Sequence, residues 1–169
     1  MWGILSLVLY VGALGFAAAS DLIRYQIPNL ASLALIAAFA FVLPSISAGT
    51  LAAHAAAGIV VFAVAAIGFA AGICGGGDVK LLGATALWTG WSNLAAFLLL
   101  TAIAGAVLAL LLLAARRATA RRPDLRFGRW YSRLLSDNEG VPYGVAIAFA
   151  GISVLSQLDL GALPPANSF

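Results

Sequence analysis

The chain has 169 residues, of which 63% are hydrophobic and 9% are charged, and its net charge is +3. Soluble domains carry about 25% charged residues, so this composition excludes a water-covered surface and predicts one integral-membrane domain over residues 1–169. The single cysteine, Cys74, excludes an internal disulfide and a tetracysteine zinc site. The basic residues form one block beside an apolar run and are not interleaved with aromatic residues, so we expect no nucleic-acid partner.

The predicted elements are apolar runs that come close to the length of a membrane span. The first run lacks the basic start of a secretory signal, so we expect a retained transmembrane helix rather than a cleaved signal. A shorter run at 79–91 would rise only about 20 Å as a helix, which leaves open a short span or a re-entrant segment. The full-length runs, each near the roughly 20 residues that cross a bilayer core, are 2–20, 30–48, 52–73, 94–115 and 141–158.

The positive charges favour a crossing at 79–91. Arg24 and Lys80 flank predicted spans, and seven arginines crowd the segment 116–133. Positive residues mark the cytoplasmic side, and all of these lie on that side only if 79–91 crosses the membrane. The sequence therefore predicts an all-α polytopic protein with six transmembrane helices and a periplasmic N-terminus. A span this short implies a locally thinned bilayer or a helix buried by its neighbours.

Several residues are expected at membrane interfaces. Trp88 and Trp91 end the short span and would lie at the periplasmic interface, where aromatic rings are enriched. His54, the only histidine, would be a polar residue at the outer end of the third span. The basic cytoplasmic loop 116–140 either fixes the topology alone or also binds anionic lipid through residues 116–133.

Two aspartates fall at the same side of the membrane in this topology. Asp21 ends the first span and Asp78 ends the third, and both spans run from outside to inside. If these spans are neighbours, the carboxylates can meet and share a proton, so that one acts as a general base and the other as a general acid. Such a pair activates a water molecule for peptide hydrolysis. Ionisable groups at membrane depth are candidates for function.

The segments around the aspartates allow two interpretations each. Gly75, Gly76 and Gly77 leave room for an extended substrate backbone beside Asp78. Alternatively, they end one helix and Asp78 caps the next. Pro28 is expected in the first turn of the second span or just before it, and the stretch around it is either a site segment or a polar turn between helices.

Together, these segments resemble the prepilin peptidases, the type IV leader peptidases of the GxGD aspartyl protease group. The resemblance is carried by D-x5-IPN from Asp21 to Asn29, by GGGDVKL from Gly75 to Leu81, and by VPYGVAIAFAG from Val141 to Gly151. It implies an endopeptidase of the bacterial inner membrane. Such an enzyme cuts the N-terminal leader of prepilins or pseudopilins after a glycine at the cytoplasmic face.

The resemblance also implies the site residues. Asp21 and Asp78 would be the catalytic pair, with no metal and no organic cofactor. Val145 stands where many relatives have a second proline, which departs from the pattern of the last span. The supporting residues implied are Pro28, Asn29, Gly75, Gly77, Lys80, Pro142, Tyr143 and Gly144.

The cysteine count indicates which kind of prepilin peptidase the chain resembles. Larger prepilin peptidases carry an extra cytoplasmic domain with paired CxxC motifs, which accompanies N-methylation of the cleaved pilin. This chain has one cysteine and only a short segment between Asp21 and Asn29. It is therefore similar to the small members of tight-adherence (Flp) pilus systems, and no methyltransferase activity is implied.

Other chemistries remain as alternatives or are excluded. Cys74 and His54 are separated by about 30 Å of predicted helix, which excludes a dyad within one chain. The H-E-x-x-H motif of intramembrane zinc proteases is absent. A pair of Ser20 with Lys80 stays open. Without catalysis, the chain would be a structural subunit, or a proton or ion relay that uses the same carboxylates. Relay sites usually lie near the midplane, whereas these aspartates lie at one boundary.

Overall fold

In the computed structural model, residues 2–120 and 140–155 are described, and every regular element in these ranges is helical. A non-helical residue, Gly90, with φ 64° and ψ 179°, divides the fourth helix into a first arm (76–89) and a second arm (91–120). Most of the basic loop 116–140 and the end of the expected span 141–158 lie outside the described residues. The helices are α1 Trp2–Arg24, α2 Asn29–Ala40, α3 Ala48–Ala70, α4 Gly76–Ala120 and α5 Tyr143–Ser153, with a 3₁₀ turn at Leu43–Ser45.

The second arm of α4 runs back along the first. Gly105 on the second arm packs against the ring of Tyr143, and Tyr143 lies close enough to Asp78 to interact with its charge. An unbroken helix would instead put Gly105 about 40 Å from Asp78. The chain therefore reverses at Gly90, which lies at the end of the expected short segment 79–91, just before the next expected span 94–115.

Successive helical segments alternate in direction, since Lys80 bonds to Asn29 where α2 and α4 begin, and the rings of Phe39 and His54 meet where α2 ends and α3 begins. Tyr10, early in α1, donates a hydrogen bond to Gly151 late in α5, while Asp21 at the end of α1 accepts one from Gly144 at the start of α5. α1 and α5 are therefore antiparallel. We call the end of the bundle that holds Asp21 and Asp78 the aspartate end, and the end that holds Gly90 the opposite end.

The lengths and composition of the helices are those of a membrane protein. Among the described residues, Ile4–Arg24, Ala48–Ala70 and Gly76–Thr119 are long and apolar enough to cross a membrane, whereas Asn29–Ser45 and α5 are shorter apolar segments. The predicted all-α membrane fold is confirmed. α2 is shorter than the expected run 30–48 because its helix ends at Ala40 and Pro44 lies in the 3₁₀ turn that follows.

The first arm of α4 is buried by its neighbours, which is one of the two ways expected for so short a helix. Trp88 is 0% exposed, its indole N–H donates to the Leu35 carbonyl at 2.9 Å, and its ring lies 4.6 Å from that of Tyr10. The expectation that Trp88 lies at the membrane interface was therefore wrong. The Leu35 carbonyl satisfies the only polar group of the side chain, so the ring can fill the core. Trp91 is 55% exposed.

The expectation that His54 is an interfacial residue was also wrong. His54 is 4% exposed, with its Nδ1 2.8 Å from the Leu87 carbonyl oxygen and its ring 5.5 Å from that of Phe39. A Cβ atom placed on Gly90 would lie 2.9 Å from this imidazole. The histidine thus fills the space beside the chain reversal at the opposite end.

Candidate active site

Asp21 lies in the last turn of α1, where the chain leaves the helix. The carboxylate is 6% exposed, and its Oδ2 accepts a hydrogen bond from the Gly144 N–H at 2.7 Å. The helix stops here because Tyr25 takes a left-handed conformation, with φ 54°. Ser20 Oγ donates to the Gln26 carbonyl at 2.8 Å and fixes the turn from the other side.

Asp78 lies in the first turn of α4, beyond a separate helix stop. α3 ends at Ala70, Gly72 just beyond it has a left-handed φ of 73°, and the Ile73 N–H donates to the Gly68 carbonyl across that end. The capping glycine is therefore Gly72, and not one of the three consecutive glycines. Asp78 Oδ2 accepts a hydrogen bond from the Gly75 N–H at 3.2 Å, so this carboxylate caps the start of α4.

Ile27 joins the two segments that carry the aspartates. A Cβ atom on Gly77 would lie 3.0 Å from Ile27 Cβ, and one on Gly144 would lie 2.8 Å from Ile27 Cδ1. One side chain thus packs on the glycine before Asp78 and on the glycine that holds Asp21. The two carboxylates are near enough to repel each other when both are ionised. Ile27 is therefore a site residue. It belongs to the IPN motif, but it was not among the site residues predicted from the sequence.

In each carboxylate, one oxygen accepts a hydrogen bond from the backbone and the other accepts none from the described residues. Oδ2 of Asp21 is bound to Gly144 and Oδ2 of Asp78 to Gly75, while the Oδ1 atoms make no hydrogen bond to any residue in the described ranges. A carboxylate oxygen accepts hydrogen bonds readily, so the Oδ1 atoms are available to a water molecule or a substrate. The arrangement fits a pair that handles protons.

The supporting residues predicted in the first half of the chain meet at the aspartate end. Lys80 Nζ donates to Asn29 Oδ1 at 2.8 Å, although 51 positions separate the two residues in sequence. Pro28 immediately precedes α2 in an extended conformation, with φ −64° and ψ 138°. The bond between Lys80 and Asn29 therefore ties the start of α2 to the helix that carries Asp78.

The supporting residues predicted near the end of the chain form the start of α5. Pro142 precedes α5 and is fully buried, and Gly144 supplies the N–H that holds Asp21. The Tyr143 ring packs directly on Gly105 of the second arm, where any side chain would overlap the ring. Sequence reasoning missed Gly105, because a small residue inside a long apolar run carries no distinguishing signal.

The geometry does not favour the other chemistries. Ser20 and Lys80 donate to different acceptors, the Gln26 carbonyl and Asn29 Oδ1, so they form no nucleophile–base pair in this arrangement. Cys74 Sγ donates to the Ala65 carbonyl at 3.5 Å, far from His54 at the opposite end. In the described part of the chain, no cluster of three or more histidine, cysteine or acidic residues could hold a metal ion.

Comparison with known proteins assigns the family. The sequence model of the Type IV leader peptidase family matches residues 8–110, more than half of the chain. The matched range contains both aspartates and ends before α5. No curated protein and no solved structure matches the chain significantly. The resemblance to prepilin peptidases is confirmed at the level of the family. The chain belongs to the Type IV leader peptidase family and is a membrane peptidase.

Proposed function

We propose that this chain is an aspartic endopeptidase that removes the N-terminal leader of prepilins or pseudopilins by cutting after a glycine, with Asp21 and Asp78 as the catalytic pair. One observation carries the proposal. At one end of the bundle, each aspartate has one oxygen held by a backbone N–H and a second oxygen without a partner among the described residues. The family match supports the class of reaction.

The reaction needs one ionised and one protonated carboxylate, a state that a close pair favours. The ionised carboxylate takes a proton from a water molecule, whose oxygen attacks the carbonyl carbon of the scissile peptide bond. The protonated carboxylate gives its proton to the carbonyl oxygen, which produces a gem-diol. When the gem-diol collapses, the carboxyl group that took the proton of water gives it to the amide nitrogen and the C–N bond breaks. The other carboxylate takes a proton from a gem-diol hydroxyl, which restores the starting state of the pair. These steps consume one water molecule and require no metal or organic cofactor.

The surrounding residues position this pair. Gly144 and Gly75 hold the Oδ2 atoms, which leaves the Oδ1 atoms to face the water and the substrate. Lys80 and Asn29 hold the start of α4 relative to α2, and so fix the position of Asp78. Tyr143 interacts with the charge of Asp78 and is a further polar group beside the pair.

We place the aspartate end at the cytoplasmic face of the bacterial inner membrane. α1, α2 with its 3₁₀ turn, α3, the two arms of α4 and α5 would be the six spans of a single domain, with a periplasmic N-terminus. The alternating directions of these segments support this topology, as do Arg24, Lys80 and the arginines of 116–133, which all fall on one side. The arginine segment would bind anionic lipid at that face.

The proposed enzyme is a small form of the type that serves tight-adherence (Flp) pili. The chain has one cysteine, and so lacks the paired CxxC motifs that accompany N-methylation in larger relatives. We therefore propose cleavage without methyl transfer. The substrate would be a prepilin or pseudopilin, and no nucleic acid takes part.

The test is a gel-shift cleavage assay in cells that co-express this chain and a Flp-type prepilin. We expect Asp21→Asn and Asp78→Asn each to lower the cleavage rate by at least about 100-fold, because asparagine keeps the size of the side chain but cannot exchange the proton. Asp124→Asn and Asp137→Asn, in the arginine-rich loop, are the matched controls and should cut like the wild type. Cleavage by both single variants at the control rate, at equal membrane levels, would refute the aspartate pair.

A further inference from the structure

A lateral groove of about 630 Å³ lies between α2, α3 and the first arm of α4. At the opposite end, α2 and α3 meet where the rings of Phe39 and His54 lie 5.5 Å apart. Elsewhere they are not among the closely packed pairs of the described helices. Apolar side chains along the groove are widely exposed, with Ile36 at 50% and Ile59 at 68%. The groove therefore opens sideways, toward the hydrocarbon of a membrane.

The polarity of the groove changes in a definite order along its length. Lys80 and Asn29 line it at the aspartate end, Ser32 follows one turn further along α2, and the remainder is apolar. Lys80 bonds to the neutral Asn29, and within the described ranges it has no carboxylate partner. No described residue therefore neutralises its positive charge. From the aspartate end inward, the groove presents a cation, then a hydroxyl, then hydrocarbon.

The hydroxyl of Ser32 has no hydrogen-bond partner among the described residues. Ser32 is 6% exposed, and its buried Oγ makes no hydrogen bond within the described residues. Other helical hydroxyls in this protein donate to the carbonyl four residues earlier, as Thr85 does to Leu81 and Thr101 does to Phe97. A buried hydroxyl without an acceptor is unfavourable, so this one indicates a missing acceptor inside the groove.

We propose that the groove binds one acyl chain of an anionic phospholipid. The lipid phosphate pairs with Lys80, an ester carbonyl accepts the hydrogen bond of Ser32 Oγ, and the hydrocarbon lies along Ile36, Ile59 and Leu87. A phospholipid presents anion, ester and hydrocarbon in the same order as the groove presents their complements. Basic pockets between membrane helices are known hosts for anionic head groups, and the volume is typical of a small-molecule site.

A hydrophobic peptide helix fits this groove less well. A membrane helix can offer Ser32 a backbone carbonyl, as Leu35 of α2 does to Trp88, but an apolar helix carries no anion for Lys80. Lys80 has no acidic partner among the described residues, so its charge favours an anion, which a phosphodiester supplies. This proposal does not rest on the peptidase activity, and it is tested without any substrate.

The first experiment measures lipid retention. The full chain, purified in detergent and mixed with phosphatidylglycerol, is examined by native mass spectrometry. Ala55→Phe fills the groove and should lower retention at least tenfold, while Ala56→Phe, at the adjacent exposed position outside the groove, should not. If Ala55→Phe fails to fold, Ile36→Trp takes its place. Equal retention by the groove variant and its control would overturn the proposal.

The second experiment tests the chemistry of the two polar contacts. We expect Lys80→Gln to abolish the preference for phosphatidylglycerol over phosphatidylcholine, and Arg24→Gln, which removes a charge from the same end of the bundle, to keep it. The wild type should prefer ester-linked over ether-linked phosphatidylglycerol about fivefold, which is the worth of one hydrogen bond, and Ser32→Ala should lose that preference.

Two results of the second experiment, and one result of a separate peptide-labelling experiment, would count against the lipid site. The head-group preference would be equal in Lys80→Gln and Arg24→Gln. The ester preference would be absent from the wild type or retained in Ser32→Ala. A photoreactive hydrophobic peptide would label the groove in the presence of excess phosphatidylglycerol, which would assign the groove to a protein partner instead.

Discussion

The two aspartates are held by groups of very different origin. Asp78 accepts its hydrogen bond from Gly75, three residues earlier, so its position is a property of one helix start. Asp21 accepts its bond from Gly144, 123 positions away, so its position depends on how α1 and α5 pack. A perturbation of α5 should therefore disturb Asp21 more than Asp78.

Gly144→Ala tests this dependence at the residue itself. The added methyl would lie 2.9 Å from Asp21 Oδ2 and 2.8 Å from Ile27 Cδ1, so the aspartate must shift. We expect leader cleavage to slow roughly 100-fold while the protein still inserts, because small misplacements of reacting groups are costly. Gly140→Ala, where an added Cβ atom meets nothing within 4 Å, is the control in the same assay. Equal rates for the two variants would show that Gly144 does not position the site.

For single residues, the local motifs predicted which side chains belong to the site, but the sequence could not predict their tertiary contacts. The GGGDVKL segment allowed Asp78 to be seen as a helix cap, and the structure shows that bond. The partner of Asp21 is a backbone N–H, a group that every residue except proline carries, so nothing in the sequence marks Gly144 as the donor. Trp88 and His54 were misplaced for a related reason, because their burial depends on the distant carbonyls of Leu35 and Leu87.

Among the helices, α4 has the greatest influence on the site, because its reversal brings the second arm back to the aspartate end. Gly90, with φ 64° and ψ 179°, occupies a region of backbone conformation that is essentially restricted to glycine. The returning arm places Gly105 against Tyr143, and so supports the start of α5. The charge pattern predicted a separate short segment at 79–91, but could not show that this segment would be the most buried one.

Gly90→Ala should destabilise the protein by roughly 1 to 3 kcal/mol, since it combines a strained backbone with a contact on His54. The added Cβ atom would lie 2.9 Å from the imidazole ring. Adding His54→Ala should remove the contact but not the backbone strain. The double variant should therefore have a lower melting temperature than the single variant His54→Ala. Thermal unfolding in detergent measures this. Gly12→Ala, with no atom within 4 Å, should melt at or above the wild-type temperature.

For the whole molecule, the centre of the packing is the first arm of α4. Trp88 contacts Tyr10 of α1 and Phe39 of α2, with ring centroids 4.6 Å and 5.5 Å apart. Helices in lipid associate through close packing and interhelical hydrogen bonds rather than through the hydrophobic effect. The ring of Trp88 therefore contributes to stability by filling space between three helices.

Trp88→Phe should lower the free energy of unfolding by roughly 1 to 3 kcal/mol, because it leaves a void and removes the donor to the Leu35 carbonyl. Trp91→Phe makes the same change at a position that is 55% exposed and should have little effect. The two variants are compared by denaturant titration in mixed micelles. A similar loss for both would mean that Trp88 is not a central packing residue.

The proposed topology is testable with single cysteines in a Cys74→Ser background. Ser45→Cys lies in the exposed turn between α2 and α3, and Gly140→Cys lies at the exposed approach to α5. If the aspartate end is cytoplasmic, an impermeant maleimide added to spheroplasts should label Ser45→Cys and not Gly140→Cys. Labelling in inverted membrane vesicles should give the opposite pattern. The reverse labelling pattern in both preparations would show that the aspartate end faces the periplasm.

The apolar runs were enough to predict an all-helical membrane protein, because this depends on the length and composition of the runs. They could not reveal which helices touch, since nearly every apolar residue is equally suited to face lipid or another helix. The groove between α2 and α3 is of this kind. Its existence depends on two helices that diverge, and no local pattern reports divergence.

The hydrogen bond between Gly144 and Asp21 also sets a sequence of events during biosynthesis. During translation, both aspartates have been synthesised by the time α4 begins. The Gly144 N–H that orients Asp21 is synthesised later, with the last described helix. On the proposed function, the stretch from Asp78 to Gly144 is therefore synthesised while both reactive groups are present without an assembled site. If these residues are the catalytic pair, cutting would begin only once α5 has joined the bundle, and nascent membrane proteins inserted nearby would not meet a half-assembled protease.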